Sequence, residues 1–173
     1  MGGGVLRKPH RPKPSGQKPT TKYKKMITFV SAVLKDIFEQ GRDYKWERPA
    51  KCPRCDHYKV WSNGFIQRFF DGFQTFLLLK AYRCPNCGCV ISLRPDSHFS
   101  RFQASRETIR SSLYFRIHDG TWPQCISISR QRYWLNNLRR RMRALLTARW
   151  DQGEIAAFDY FISIGQTPVS CSI

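Results

Sequence analysis

Two CxxC pairs, Cys52-Pro-Arg-Cys55 and Cys84-Pro-Asn-Cys87, stand with 28 residues between Cys55 and Cys84. A CxxC turn directs two thiolates at one point. Two such turns brought together give the tetrahedral sulfur set that Zn²⁺ prefers. Four thiolates saturate the ion and leave no position for a catalytic water. The expected cofactor is therefore one structural Zn²⁺ on Cys52, Cys55, Cys84 and Cys87, and no catalytic residue is expected. A disulfide scaffold suits small secreted chains, whereas this chain has seven cysteines and no export signal. A thioredoxin-like redox pair needs one CxxC ahead of a helix in an α/β unit, and that pattern is absent. Cys89 is close enough in sequence to replace Cys87, while Cys125 and Cys171 read as buried thiols. His57 and His98 flank the turns, but four cysteines suffice without them.

The second group with chemical potential is basic. From Arg130 to Arg149 there are seven arginines and no acid. Helix, turn, helix with polar and basic residues early in the second helix is the helix-turn-helix plan, in which that second helix enters the major groove. Arg suits guanine edges and phosphates, and Gln and Asn suit adenine. Arg130, Gln131 and Arg132 are therefore expected to meet bases, with Asn136 beyond them. Arg139, Arg140, Arg141 and Arg143 are expected on phosphates, because four arginines in five positions spread around a helix.

These groups need elements to position them. The spacer between the CxxC pairs reads as strands broken by Asn63-Gly64 and Asp71-Gly72, both strong hairpin signals because they tolerate positive φ. Val90-Ile91-Ser92-Leu93 reads as a further strand. Two cysteine turns joined by hairpin strands make a zinc ribbon. Upstream, Phe29, Val30, Val33, Leu34, Ile37 and Phe38 recur at helical spacing and predict an amphipathic helix over 28–40, stopped by Gly41. Downstream, Ser105 opens a helix with an apolar face of Ile109, Leu113 and Ile117, ended by Asp119-Gly120. Ser129 is the expected N-cap of the basic helix, whose apolar stripe is Trp134, Leu135, Leu138, Met142 and Leu145.

The fold class expected is α+β: an N-terminal helix, a four-cysteine zinc ribbon with antiparallel hairpin strands, then a helix-turn-helix-like segment. The expected divisions are a disordered basic tail over 1–25, helix plus ribbon over 26–100, the basic helical part over 101–150, and a short terminal strand or tail over 151–173. Charge follows these divisions, at +8, +4, +9 and −3 within a net +18. The tail has four prolines, four glycines and almost nothing apolar, too little to offset its ordering entropy. In the chain as a whole, 41% apolar residues exclude wholesale disorder. No apolar run approaches the roughly 20 residues of a membrane span. Met26 to Leu34 follows a basic segment as a signal peptide would, but no small-residue cleavage site follows. Such positive charge calls for an anionic partner, and nucleic acid fits better than membrane because the cations are not confined to one amphipathic helix.

The order of several residues resembles a known family. Glu47-Arg48-Pro49, the CPRC turn, Trp61, Gly64, Arg68, Asp71-Gly72, Tyr82-Arg83-Cys84-Pro85, Cys87-Gly88, Leu93-Arg94-Pro95-Asp96 and Ser129-Arg130-Gln131 resemble the bacterial transposase-related zinc-ribbon and helix-turn-helix proteins over roughly residues 28–145. Asp56 departs from the small residue usual after the first turn, and Trp122-Pro123 interrupts the run between the helices. The resemblance implies a bacterial, cytoplasmic DNA-binding protein linked to mobile elements. Its expected partners are duplex DNA, and beside it a second copy of the chain or a separate transposase catalytic subunit. Transposases of this kind continue into an acidic catalytic domain, and EIAAFDYFISIG over 154–165 resembles its first strand, with Asp159 inside. Only 14 residues follow Asp159, so the chain is expected not to cut DNA and the segment to be a terminal strand or helix packed on its neighbours. An RNA- or ribosome-associated zinc ribbon is the alternative, with Phe65, Phe69, Phe70, Phe73 and Phe76 available to stack bases or to pack.

Overall fold

The structure is a computed structural model that describes residues 24–146 and 150–171. The expected tail therefore lies, but for Lys24 and Lys25, outside the described residues, as does Arg149. Four strands and four α-helices are described: β1 (Lys25–Val30), α1 (Leu34–Gln40), β2 (Trp61–Arg68), β3 (Leu77–Arg83), β4 (Val90–Pro95), α2 (Arg106–His118), α3 (Ile128–Leu145) and α4 (Gly153–Ser163). The protein is mixed α+β. Among the described residues, no helix is long and apolar enough to cross a membrane.

The strands form one sheet in the order β1-β4-β3-β2. β2, β3 and β4 are antiparallel neighbours, whereas β1 runs parallel to β4, from Lys25 opposite Val90 to Val30 opposite Pro95. This corrects the expected helix over 28–40. Residues 28–30 are strand instead, because Thr28, Phe29 and Val30 are β-branched or aromatic and β4 offers an open edge to their backbone groups. The helix proper holds only from Leu34, with Ile37 buried and Gly41 ending it in the left-handed region at φ 56°.

Asn63-Gly64 does not turn the chain. It lies inside β2, where the register with β3 slips between Ser62 and Phe65, and Gly64 takes φ 77°. A glycine in the left-handed region is what a β-bulge needs, so the same residues serve a bulge rather than a hairpin. The reversal falls at Asp71-Gly72.

Ser105 caps α2, its side chain accepting from the Thr108 N–H, as expected. α3 begins earlier than expected: Ser127, not Ser129, is the N-cap and accepts from the Arg130 N–H. Of the packed strand or helix expected around Asp159, the structure has the helix, α4, in place of the strand or tail expected as the last division. It buries Ala157, Phe158 and Phe161 against Ile109, Leu113, Trp134 and Leu138. This core runs from Phe99 to Val169 and so gathers residues from both sides of the expected divisions at 100 and 150. A second core surrounds the cysteines with Val60, Tyr82, Ile91 and Leu93, and a third seats α1 on β3 through Ile37, Phe70, Leu77 and Leu79.

Candidate metal centre and basic helix

The two CxxC turns have the same backbone. The Cys52 N–H donates to the His57 carbonyl and the Asp56 N–H to the Cys52 carbonyl, at 3.0 and 2.9 Å. The Cys84 N–H likewise donates to the Cys89 carbonyl and the Gly88 N–H to the Cys84 carbonyl, at 2.9 and 3.1 Å. Asp56 and Gly88 occupy the same position in the two turns, and both are left-handed, at φ 52° and 66°. Asp tolerates that region better than most side chains do, so the departure at Asp56 leaves the turn intact.

The turns face each other across the start of β2 and the β3–β4 connection. Cys52 Sγ lies 3.7 Å from Cys87 Sγ, and Cys55 Sγ lies 3.6 Å from Cys84 Sγ. All four sulfurs lie within 4.8 Å of one another and can hold one metal ion. Cys52 and Cys84 are buried, Cys55 and Cys87 partly exposed. The His57 backbone N–H lowers the Cys55 thiol to about 7, and the Asn86 side chain donates to the same sulfur at 3.7 Å. Cys87 also receives a backbone N–H, from Cys89, but burial and the neighbouring sulfurs push it up to about 12.

The other sulfur and imidazole groups stand apart. Cys89 is buried with its thiol toward the Val90 carbonyl, whereas Cys125 and Cys171 are exposed, which corrects their reading as buried thiols. His57 is exposed. His98 is buried edge-on to Phe70, its Nδ1 3.0 Å from Ser97 Oγ, and burial drives its pKa down to about 4.

The basic helix divides its residues by helical phase. Gln131, Trp134, Leu135, Leu138 and Arg141 fall on the packed face. Gln131 is fully buried: it accepts from Ser112 Oγ at 2.5 Å and donates to the Pro123 and Ile126 carbonyls at 2.8 and 2.7 Å. It pins the link between α2 and α3 and has nothing left for a base edge, which corrects its expected role. Arg141 is buried too, donating to Gln166 Oε1 at 2.6 Å with its guanidinium over Phe161. It is a packing residue, not a phosphate contact. Arg130 holds Asp71 with both terminal nitrogens, at 3.1 and 2.8 Å, and so ties α3 to the β2–β3 turn. Arg139 pairs with Glu154 at 2.5 Å, and Arg140 donates to the Cys171 carbonyl. Arg132, Asn136 and Arg143 are exposed, and among the described residues none of the three has a carboxylate partner.

Asp159 lies on α4, not on a strand. It binds Arg110 of α2 through both oxygens, at 2.8 and 2.7 Å. A further group, Arg68, Arg94 and Arg101, was not singled out as a site by sequence pattern. These residues come from β2, β4 and a loop, and only the sheet order brings them around one cavity.

The class this defines is an α+β protein with a four-cysteine candidate metal centre and an arginine-rich helix. A comparison with known protein families, curated proteins and solved structures gives no match to this chain.

Proposed function

We propose that the chain is a zinc-dependent DNA-binding protein, related to the DNA-binding part of transposases and not itself a nuclease. The observation that carries this reading is the exposed face of α3. Arg132, Asn136, Arg139 and Arg143 recur at helical spacing along one stripe, and only Arg139 has a carboxylate partner among the described residues. On a chain of net charge +18, such a stripe suits a polyanion.

Zinc fits the cysteine cluster. A tetrahedral ion with Zn–S bonds of about 2.3 Å has sulfur–sulfur edges of about 3.8 Å, and the two closest pairs stand at 3.7 and 3.6 Å. An all-sulfur set favours zinc over magnesium or calcium, which take oxygen. The antiparallel β2-β3-β4 unit with a cysteine turn at the head of β2 and another between β3 and β4 has the plan of a zinc ribbon. The link from α2 to α3, residues 119–127, is longer than the 3–4 residue turn of a helix-turn-helix. α3 is then presented by its packing on α2 and α4 rather than by a tight turn. Asp159 is engaged by Arg110, which supports the non-catalytic reading.

The test is competition between duplex DNA and structured RNA for the zinc-loaded chain at fixed salt, with metal analysis alongside. About one zinc per chain and a preference for duplex DNA are expected. A preference for structured RNA replaces DNA by the second reading, which the exposed rings of Tyr58 and Trp61, with Lys51 over Tyr58, favour. Binding to neither removes both.

A further inference from the structure

Lys25, Arg68, Arg94 and Arg101 line a cavity of about 590 Å³ between the sheet and the Ser100–Gln103 segment. That volume is of the size that holds a small ligand. No carboxylate lines it, and among the described residues none of these arginines has an ion-pair partner. Other arginines are matched: Arg110 by Asp159, Arg130 by Asp71 and Arg139 by Glu154.

Arg94 is the least expected of the four. It is only 5% exposed, it donates to the Phe102 carbonyl at 2.5 Å, and its Nε has no partner among the described residues. A buried cation without a counter-charge is costly, by several kcal/mol in real proteins. Burial, with Arg68 nearby, lowers its pKa to about 10. Arg101 stands at φ 70°, a conformation most side chains avoid at a cost of roughly 1–2 kcal/mol. Arg94 has the Phe102 carbonyl and the Phe70 ring against it but no carboxylate, and a buried charge beside left-handed backbone is the kind of strain that collects at binding sites. The same Ser100–Gln103 segment lines an adjacent hollow of about 310 Å³ with Arg130 and Tyr133 of α3, so the two concavities follow one another toward the start of the basic helix.

We infer that this cavity seats a phosphate of a nucleic-acid strand, with Arg68, Arg94 and Arg101 around its oxygens and the adjoining nucleotide against Phe69 and Phe102. Guanidinium groups match phosphate geometry through paired N–H donors. The inference rests on the nucleic-acid reading above and adds to it a binding point outside α3.

Arg94→Met removes packing as well as charge, so two exposed residues carry the test. The variant Arg68→Gln/Arg101→Asn keeps a residue tolerant of left-handed backbone at 101. Full-length, zinc-loaded protein is titrated onto labelled duplex and single-stranded DNA across a salt series, beside the α3 variant Arg132→Gln/Arg143→Gln. Two lost phosphate contacts should flatten the slope of log K against log salt by roughly 1.8 on duplex DNA, at about 0.9 per contact. An affinity loss of roughly tenfold or more at low salt is expected, with an unchanged melting temperature. If the cavity variant keeps the wild-type slope while the α3 variant loses it, the cavity inference is wrong and the DNA-binding reading stands. If the wild type binds neither strand form, the reading above fails and this assignment with it. Inorganic pyrophosphate is titrated in the same series. Saturable binding of pyrophosphate that the cavity variant loses, without any binding of nucleic acid, assigns the site to a free phosphate ligand and overturns the strand.

Discussion

Gly88→Ala and Gly88→Asn make a pair whose outcomes should run against side-chain size. Gly88 sits at φ 66°, and a Cβ built there meets nothing within 4 Å. The cost of a side chain is therefore conformational, not steric. Alanine in the left-handed region costs roughly 1–2 kcal/mol, and losing glycine's extra freedom in the unfolded chain returns about 0.5–1 kcal/mol. The net for Gly88→Ala is about 1 kcal/mol of destabilisation. Asparagine visits this region far more readily, so the larger substitution should cost less than about 0.5 kcal/mol. The equivalent turn already makes that choice, with Asp56 at φ 52°. Because the turn sets the directions of Cys84 and Cys87, the loss should also reach metal affinity, as about fivefold for 1 kcal/mol. Urea unfolding of the zinc-loaded protein gives the first quantity, and competition against a chelating indicator gives the second. If alanine is tolerated as well as asparagine, the left-handed turn does not limit the site and the reasoning from φ is wrong.

Removing the metal with a strong chelator should collapse the second core, seen as loss of near-ultraviolet signal from Tyr82 and Trp46, which pack there; a signal unchanged without metal would show that the thiols merely neighbour each other. Gln131→Ala strands the Ser112 hydroxyl and two carbonyls, and should cost about 2–4 kcal/mol in chemical unfolding, whereas Arg132→Gln should leave stability unchanged and weaken DNA binding. Arg141→Met should lower stability by about 1–3 kcal/mol with little change in the salt slope, since its guanidinium is spent on Gln166 and Phe161. His98 has its pKa lowered to about 4 by burial, with Arg94 and Arg106 opposing the proton and Asp71 favouring it. The folded state thus binds fewer protons than the unfolded chain, and the stability contribution is present above about pH 6.5 and lost as pH falls toward 4. Wild type minus His98→Gln, followed by unfolding at several pH values, should show that loss; a difference independent of pH would refute it.

The cysteine turns were legible because their spacing is itself geometry: two residues between ligands close a turn wherever it occurs. The Ser105 cap and the apolar stripe of α3 from Trp134 to Met142 were legible for the same reason, being local, whereas Leu145 at the end of that stripe is exposed. β1 was not, because Phe29 and Val30 satisfy a helical period as well as a strand, and what decided was the edge of β4, far along the chain. Asn63-Gly64 named a need for positive φ without saying whether a turn or a bulge would use it. On α3 the arginines were visible but their engagement was not: Asp71, Glu154 and Gln166, which occupy three of them, come from three distant segments. The buried Arg94 could not be told from an exposed arginine, because the Phe102 carbonyl and the Phe70 ring that meet it come from other segments.

The parallel pairing of β1 with β4 also orders events in time. β1 leaves the ribosome before any other described element, yet its partner β4 follows the second cysteine turn, with Val90 donating its N–H to the Lys24 carbonyl. A contact so distant in sequence closes slowly, since the intervening loop must be brought in first. A metal ion that joins Cys52 to Cys87 closes off residues 53–86, and so shortens the stretch of chain that this search must span. A metal held by these cysteines would then act on this protein while it is being made, setting how long β1 waits as a bare strand open to other chains.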